Sequence, residues 1–298
     1  MINIRWNKWW LAPVFLILLA CEDDDVMQDP LATSDTSEDT LNRKLKTAVY
    51  DIMNEWYLWN DQLPEVNPDN YDDADALLNA MMNKPTDKWS YIQEEETYNA
   101  LFERGEYEGY GVRMARDLEG NLRVAFVYDD SPFGRAGVER SWIIDKINGT
   151  SIRDIDGFTL GQLLEGSSHQ FAFVKPDGST FTENFTKSTI GINTVMNADV
   201  LERQNKKIGY LAFNSFLATS EEELDTAFQH FQASGIDELI VDLRYNGGGR
   251  VNIAEWMASN IIGNAGAGKN FLEYSFNKDK AEEYNETVPF NAPTIPLK

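Results

Sequence analysis

Leu41, Leu45, Val49, Ile52 and Trp56 recur every three or four residues, the spacing that lines side chains along one face of an α-helix. Tyr57, Leu58 and Trp59 extend the stripe and Pro64 stops it. A second helix is expected from near Asp72, carrying Leu77, Leu78, Met81 and Met82 and ending at Lys84-Pro85. Together they predict a small helical N-terminal domain whose Trp and Met residues form its core. From Gly109 the pattern shifts toward strands. Val124–Tyr128 and Ile143–Ile147 read as strands, the second running into a tight Asn148-Gly149 hairpin turn. A helix around Leu160 to Leu164 and a hairpin at Pro176-Asp177-Gly178 follow. The last stretch reads as strand, helix, strand. Lys207–Phe213 is a strand, and Ser220 with Glu223 three residues on has the capping-box pattern of a helix start. Leu224, Ala227, Phe228 and Phe231 make that helix's inner face and Gly235 ends it. Leu239 to Leu243 reads as a strand of a sheet buried on both faces, and Val251 to Ile262 as the next helix. Asn264 to Lys298 has no clear period and is expected to be a loop.

The first residues form a different kind of segment. Arg5 and Lys8 give a positive start, and Trp9 to Ala20 is an apolar core too short to span a membrane comfortably. It closes on Leu18-Leu19-Ala20-Cys21, which resembles a bacterial lipoprotein cleavage box, and Cys21 is the sole cysteine of the chain. A lone Cys there fits lipidation better than a disulfide or a metal site, with an ordinary secretion signal as the alternative. Glu22-Asp23-Asp24-Asp25 resembles the surface-export signal of some Gram-negative lipoproteins, and reads equally as part of a solvated tether over residues 21–40. These features imply a membrane-anchored lipoprotein of the cell envelope, facing the periplasm or the cell surface. With 49 acidic against 26 basic residues the net charge is −23, which argues against nucleic acid as a partner.

The richest local signal is Glu238-Leu239-Ile240-Val241-Asp242-Leu243-Arg244-Tyr245-Asn246-Gly247-Gly248-Gly249, a strand that stops in three glycines before a helix. Consecutive glycines leave backbone N–H groups bare. Such a turn can bind phosphate, stabilise an oxyanion during acyl transfer, or simply be structural. By residue chemistry alone these readings stand level. The spacing Asp-x-Arg-x-Asn-x-Gly-Gly, as Asp242, Arg244, Asn246, Gly248 and Gly249, resembles that of the carboxy-terminal processing peptidases, Ser/Lys serine peptidases that carry a PDZ domain.

A second motif agrees. Gly109-Tyr110-Gly111-Val112 resembles the carboxylate-binding loop of a PDZ domain, where glycine lets backbone N–H groups turn toward a peptide's C-terminus and the peptide adds as an edge strand. Ser131-Pro132-Phe133-Gly134-Arg135-Ala136-Gly137-Val138 and then Ile143 to Thr150 follow in the order of bacterial PDZ domains. The Gly-Asp pair usual before the Ile-Ile strand is replaced by Ser141-Trp142, so that turn is expected to differ in shape. Thr86-Asp87-Lys88-Trp89-Ser90-Tyr91-Ile92 resembles a segment preceding the PDZ domain in the same family, and Asp87 and Ser90 also suit a plain turn or cap.

The resemblance implies a multidomain α+β chain. A signal peptide occupies 1–20, the tether 21–40, a helical domain 41–104, a PDZ domain 105–190 and the first part of a crotonase-like α/β peptidase core 191–298. It implies that Gly248 and Gly249 contribute N–H groups to an oxyanion hole, with Asp242, Arg244, Asn246 and Gly247 holding the turn. Substrates would be polypeptides with free C-termini, captured by the PDZ domain, and no cofactor is implied. The family's nucleophilic Ser and basic Lys lie downstream of this motif, and the chain is expected to be cut off before them. Ser259 falls within a predicted helix and Ser275 lies outside any small-residue turn, so neither is assigned as nucleophile, and Lys269, Lys278, Lys280 and Lys298 are expected on the surface. Gly263 to Lys269 mimics the glycine and lysine positions of a P-loop, but Asn270 offers no hydroxyl to Mg²⁺ and the segment before it looks helical. There are two histidines, His169 in an expected PDZ loop or edge and His230 mid-helix, and no Gly-x-Ser-x-Gly elbow, which argues against a Ser-His-Asp triad and against clustered metal ligands. The alternative of a different class is a non-catalytic, peptide-binding PDZ lipoprotein.

Overall fold

The structure, a computed structural model, describes residues 37–153 and 155–297. The signal segment, Cys21 and nearly all of the acidic tether lie outside the described residues.

Three helices come first: α1 (Ser37–Trp56), α2 (Ala74–Met81) and α3 (Glu95–Phe102). Strands β1 (Glu106–Gly109), β2 (Val112–Arg116) and β3 (Leu122–Val127) lead to the short α4 (Pro132–Arg135). Then come β4 (Ile143–Ile147), β5 (Thr150–Ser151), α5 (Gly157–Leu163), β6 (Ser168–Val174), β7 (Thr180–Thr186) and β8 (Ser188–Gly191). The remainder runs β9 (Val195–Arg203), β10 (Lys206–Phe213), α6 (Ser220–Ser234), β11 (Glu238–Asp242), α7 (Val251–Ile262), β12 (Asn270–Tyr274), α8 (Ala281–Tyr284) and β13 (Glu286–Pro289).

Helix α1 forms where the periodicity predicts it, but with a different face inward. Leu41, Leu45 and Ile52 are 53%, 44% and 54% exposed, whereas Val49, Tyr50, Met53 and Tyr57 pack with Leu77, Leu78 and Met81 of α2. The helix has two apolar stripes, and contact with α2 selects one. Lys46 and Asn42 fix the choice by donating to the carbonyls of Tyr71 and Asp72 in the loop that enters α2. After α2, Asp87 caps a turn, accepting from the N–H groups of Trp89 and Ser90, the Ser90 hydroxyl and Tyr57 Oη. Burial works to raise the Asp87 pKa, yet these donors outweigh it and hold the carboxyl below its ordinary value.

The PDZ module is an antiparallel sheet in the order β2-β3-β4-β6-β7, with β5 paired to β4. Its core is aromatic. Phe133 of α4 is fully buried, with its ring 4.6–5.4 Å between centroids from Tyr110, Phe171, Phe173 and Phe185. Leu160, Leu163 and Leu164 pack on the same cluster as Val112 and Met114 of β2. Strand β2 is an edge strand, which leaves one side of its backbone unpaired. The Ser141-Trp142 turn is indeed shaped differently: Ser141 has φ +77° and Trp142 is buried. Asn148 and Gly149 both have positive φ, as the hairpin turn requires. His169 lies inside the sheet on β6, not in a loop or at an edge, because its ring is needed by Tyr110.

Beyond β8, which pairs with β1, the chain builds a second sheet in the order β11-β10-β9. Helix α6 carries the parallel crossover from β10 to β11, burying Leu224, Ala227, Phe228 and Phe231 as predicted. The capping box does not form. Ser220 Oγ accepts from Leu217 N and donates to Ser215 O, while Glu223 reaches across to accept from Val195 N. Strand β11 is also not buried on both faces. It lies at the sheet edge, with Leu239 and Val241 packed on the core and Ile240 48% exposed. The stretch after Asn264 is no loop: β12 and β13 pair as a hairpin around α8. This hairpin returns to α1, where Asn277 donates to the carbonyls of Glu55 and Tyr57 and Lys280 pairs with Glu55 and lies over the Trp56 ring. Lys280 is therefore engaged rather than free on the surface. Lys269 and Lys278 are exposed, and Lys298 lies outside the described residues.

Truncating the central aromatic is expected to cost dearly: Phe133→Ala should destabilise the PDZ module by about 3–5 kcal/mol. Chemical denaturation, followed by a probe within the β-sheet around Trp142, measures it.

Candidate functional site

The glycine turn follows β11 directly, and each preceding residue has a holding task. Asp242 Oδ1 accepts from Arg244 N at 3.1 Å and Arg244 Nε at 2.9 Å, while Oδ2 accepts from Arg244 Nη2 at 2.5 Å and Tyr210 Oη at 2.7 Å. The Arg244 guanidinium first, then the Tyr210 hydroxyl, hold the Asp242 carboxyl well below the usual carboxylate range. The same pairing drives Arg244 further from losing its proton. Asn246 Oδ1 accepts from Gly248 N at 2.7 Å, and Gly247 N donates to Asn214 O at 3.3 Å.

The next contact is between backbones. Phe216 N donates to Gly248 O at 2.9 Å and Arg250 N donates to Phe216 O at 2.6 Å. A β-carbon on Gly249 would lie 2.1 Å from Phe216 O, and Gly249 has φ +134°. Both close approach and backbone conformation therefore demand glycine. Gly248, at φ +103°, meets no neighbouring atom, so there the demand is conformational alone.

The two glycines differ in what they offer. The Gly248 N–H is engaged by Asn246. The Gly249 N–H has no partner among the described residues. It lies just before the N-terminus of α7, whose N-cap Arg250 supplies no side-chain cap, so the helix dipole adds positive potential nearby. Beside the turn is a cavity of about 190 Å³ bordered by Arg140, Tyr210, Phe213, Asp242, Arg244 and Tyr245. What the turn can do chemically is stabilise a negative oxygen; none of its side chains is placed as a nucleophile. Ser215 Oγ donates to Gly248 O at 3.4 Å, and Ser259 is buried with its hydroxyl on Glu255. Ser275 is exposed just after β12.

The loop Gly109-Tyr110-Gly111-Val112 joins β1 to β2. Gly111 has φ +74° and a β-carbon on it would lie 1.9 Å from the Ser131 β-carbon. Its carbonyl accepts from Tyr128 N at 2.9 Å, while the carbonyl of Tyr110 accepts from Phe133 N. Tyr110 is buried, with its hydroxyl against His169 Nδ1 and the opposite ring nitrogen 2.7 Å from Glu165 O. Burial pushes its pKa up to about 12.

Loop and turn are linked. Tyr128, whose N–H holds Gly111, accepts from Asn214 Nδ2 at 2.9 Å through its phenolic oxygen, and Asn214 O holds Gly247. Tyr245 of the turn packs edge-on against Phe126 of β3, and Arg140 lies over its ring. Tyr210, Asn214 and Tyr128 escaped sequence reasoning because their partners are far away along the chain. A polar residue just after the strand-like Lys207–Phe213 was the one available hint.

These features define a PDZ module joined to an α/β unit whose glycine turn presents one unpartnered backbone N–H. The sequence model described as "Peptidase S41 N-terminal domain" matches residues 44–91, and "Peptidase family S41" matches residues 207–297. The carboxyl-terminal-processing protease of Picosynechococcus sp. is 28% identical over 186 residues, covering 60% of this chain and 44% of the relative. The carboxy-terminal processing protease CtpA of Bacillus subtilis is 23% identical over 260 residues, covering 86% and 52%. A solved structure of a Bacteroides fragilis protein assigned as an S41 protease shares the fold with a TM-score of 0.57 at 22% identity, covering 82% of this chain and 66% of that one. The chain belongs to peptidase family S41, the carboxy-terminal processing serine proteases. It spans about half the length of the curated relatives it matches.

The Asp242 carboxyl is expected to titrate below its ordinary 3.8 by carbon-detected NMR. Because its native pKa is lowered, the stability it lends is present above the unfolded carboxylate range. That stability is lost only as pH falls through the lowered native value. Tyr210→Phe removes one donor and should move the titration back upward.

Proposed function

We propose that this chain is part of a tail-specific serine peptidase of the cell envelope. The Gly109–Val112 loop receives the free carboxylate of a polypeptide C-terminus, and the peptide extends along the open edge of β2 beside α5. The Gly249 N–H contributes to an oxyanion hole for hydrolysis by a Ser/Lys dyad, with Asp242, Arg244 and Asn246 holding the turn. The observation that carries this reading is the unpartnered Gly249 N–H in a turn where neither chain nor side chain can shift it. The nucleophile and the base are assigned to no residue described here. A lysine serving as base would be desolvated so that it loses its proton near neutral pH. Cys21 would anchor the protein by lipid, and the acidic tether would hold it clear of the membrane.

The engaged hydroxyls of Ser215 and Ser259 favour one rival, a lipoprotein that binds peptides and does not cut them. Both readings require binding of free C-termini. The 298-residue polypeptide is expected to bind such peptides and to show no hydrolysis. Turnover sensitive to a serine-directed fluorophosphonate would overturn the assignment of no nucleophile among these residues. Gly249→Ala keeps the backbone N–H but sets a β-carbon 2.1 Å from Phe216 O, so the turn must shift and carry the donor out of place; in any form of the protein that does cleave, kcat should fall by roughly 100-fold, the scale of one misplaced oxyanion donor. An unchanged kcat would remove Gly249 from the site and leave the binding lipoprotein as the better reading.

A further inference from the structure

Tyr110 stands in the Gly109–Val112 loop, yet its side chain turns inward and is buried. Its hydroxyl meets Nδ1 of His169 on β6, and His169 is buried as well. The opposite ring nitrogen, Nε2, lies 2.7 Å from the carbonyl oxygen of Glu165. A carbonyl only accepts, so Nε2 carries a proton. In the neutral ring Nδ1 then has a bare lone pair, and the Tyr110 hydroxyl donates to it. The relay has one direction, from Tyr110 to His169 and from His169 to Glu165 O.

Glu165 follows directly on Leu164, the residue that caps the C-terminal end of α5. Leu164 O accepts from Lys187 Nζ at 2.8 Å, so that end of the helix is tied twice. The other end is tied to β2. Arg116, the last residue of β2, donates from Nη1 to Arg153 O at 2.6 Å, and from Nη2 to Ile152 O at 3.0 Å and to Ile155 O. These carbonyls belong to the segment that enters α5. The start of β2 is therefore linked to the end of α5, and the end of β2 to its start. Strand and helix lie side by side and antiparallel. A peptide paired to the open edge of β2 would run alongside the helix. Val112 packs inward on the aromatic cluster, and residues directly opposite each other across a sheet share a face. A peptide side chain opposite Val112 would therefore enter between Tyr110 and the end of α5.

Resting on the peptide-capture reading above, we propose that His169 is a positioning residue for chain-end selection. Through Tyr110 on one side and Glu165 on the other it fixes the gap between the loop and the end of α5, and so limits the size of the peptide's last side chain. Apolar contacts alone would let this gap widen, because rings and aliphatic chains slide past one another at little cost. Directional hydrogen bonds do not slide, and the relay is buried, so breaking either link leaves a polar atom unsatisfied. The Tyr110 ring is held separately, with its centroid 5.4 Å from Phe133 and 4.9 Å from Phe171. The hydroxyl can therefore be removed while the ring stays packed.

Two variants cut the relay at the Tyr110 link. Tyr110→Phe removes only the hydroxyl. His169→Gln keeps an amide near the Nε2 position to hold Glu165 O and leaves Tyr110 without its acceptor. The test uses fluorescein-labelled heptapeptides ending in Ala, Val, Leu or Phe, each as free acid and as carboxamide, titrated by anisotropy against the 298-residue protein. One hydrogen bond between neutral groups corresponds to roughly a three- to tenfold change in affinity. Each variant should raise the affinity for the Phe-ended acid relative to the Ala-ended acid by about that factor. A merely structural role would weaken all four acids alike. Unchanged or uniformly weakened binding in either folded variant overturns the positioning role and leaves peptide capture standing. Nitrogen-15 NMR of the wild-type imidazole tests the relay without any substitution. The proton should sit on Nε2, and the ring signals should move further with the Phe-ended acid than with the Ala-ended one. A proton on Nδ1 alone, or ring signals unmoved by bound peptide, overturns the positioning role. Absence of binding by the wild type, or equal binding of acid and amide, overturns peptide capture and the positioning role with it.

Discussion

The approach of Gly249 to Phe216 is the contact on which the candidate site depends. Two backbone segments touch there at a separation that no β-carbon could share. The hydrogen bonds from Phe216 N to Gly248 O and from Arg250 N to Phe216 O lock both sides of Gly249 and leave its own N–H unused. A side-chain contact in this position could relax through rotamers. A backbone contact cannot, so the direction of the free N–H is set by the fold itself. Everything upstream serves this geometry: Asp242 is tied by Arg244 and Tyr210, and Asn246 occupies the Gly248 N–H, which leaves Gly249 as the exposed donor.

The second organising feature is polar continuity between the two modules. Gly111, Tyr128, Asn214 and Gly247 form a chain of hydrogen bonds that runs from the Gly109–Val112 loop to the glycine turn. Aromatic packing of Tyr245 on Phe126 runs alongside it. Asn214 is nearly fully buried, and its Oδ1 has no partner, so its amide is held by the two acceptors on its nitrogen and by its backbone. Buried polar groups of this kind respond strongly to a change in any neighbour, because each lost bond costs a full desolvation. Movement of Tyr128 would therefore be felt at Gly247.

Much of this was legible in the chain before any coordinates. The helix starting near residue 41, the strands around Val124, Ile143 and Ile208, the turn at Asn148-Gly149 and the helix over Leu224–Phe231 all follow from period and turn chemistry. The errors share a cause. The stripe Leu41, Leu45 and Ile52 has the right period, but α2 covers the neighbouring stripe. Ser220 and Glu223 have capping-box spacing, but Ser215, Leu217 and Val195 offer them competing partners. Leu239 to Leu243 has the composition of an interior strand, yet it sits at an edge. Helix α3 and the β12–β13 hairpin lack strong periodicity and are held by contacts elsewhere, such as Asn277 with the end of α1.

The sequence by itself determined where the glycines must be and which loop and turn could bind an anion, because φ and steric bareness are properties of the residue. It also determined the family, through Asp242, Arg244, Asn246 and the glycines after them. Only the tertiary structure decided that Gly249 rather than Gly248 keeps a free N–H. Hydrogen-bond satisfaction is a competition among groups brought together by folding, and no local pattern states which competitor arrives first.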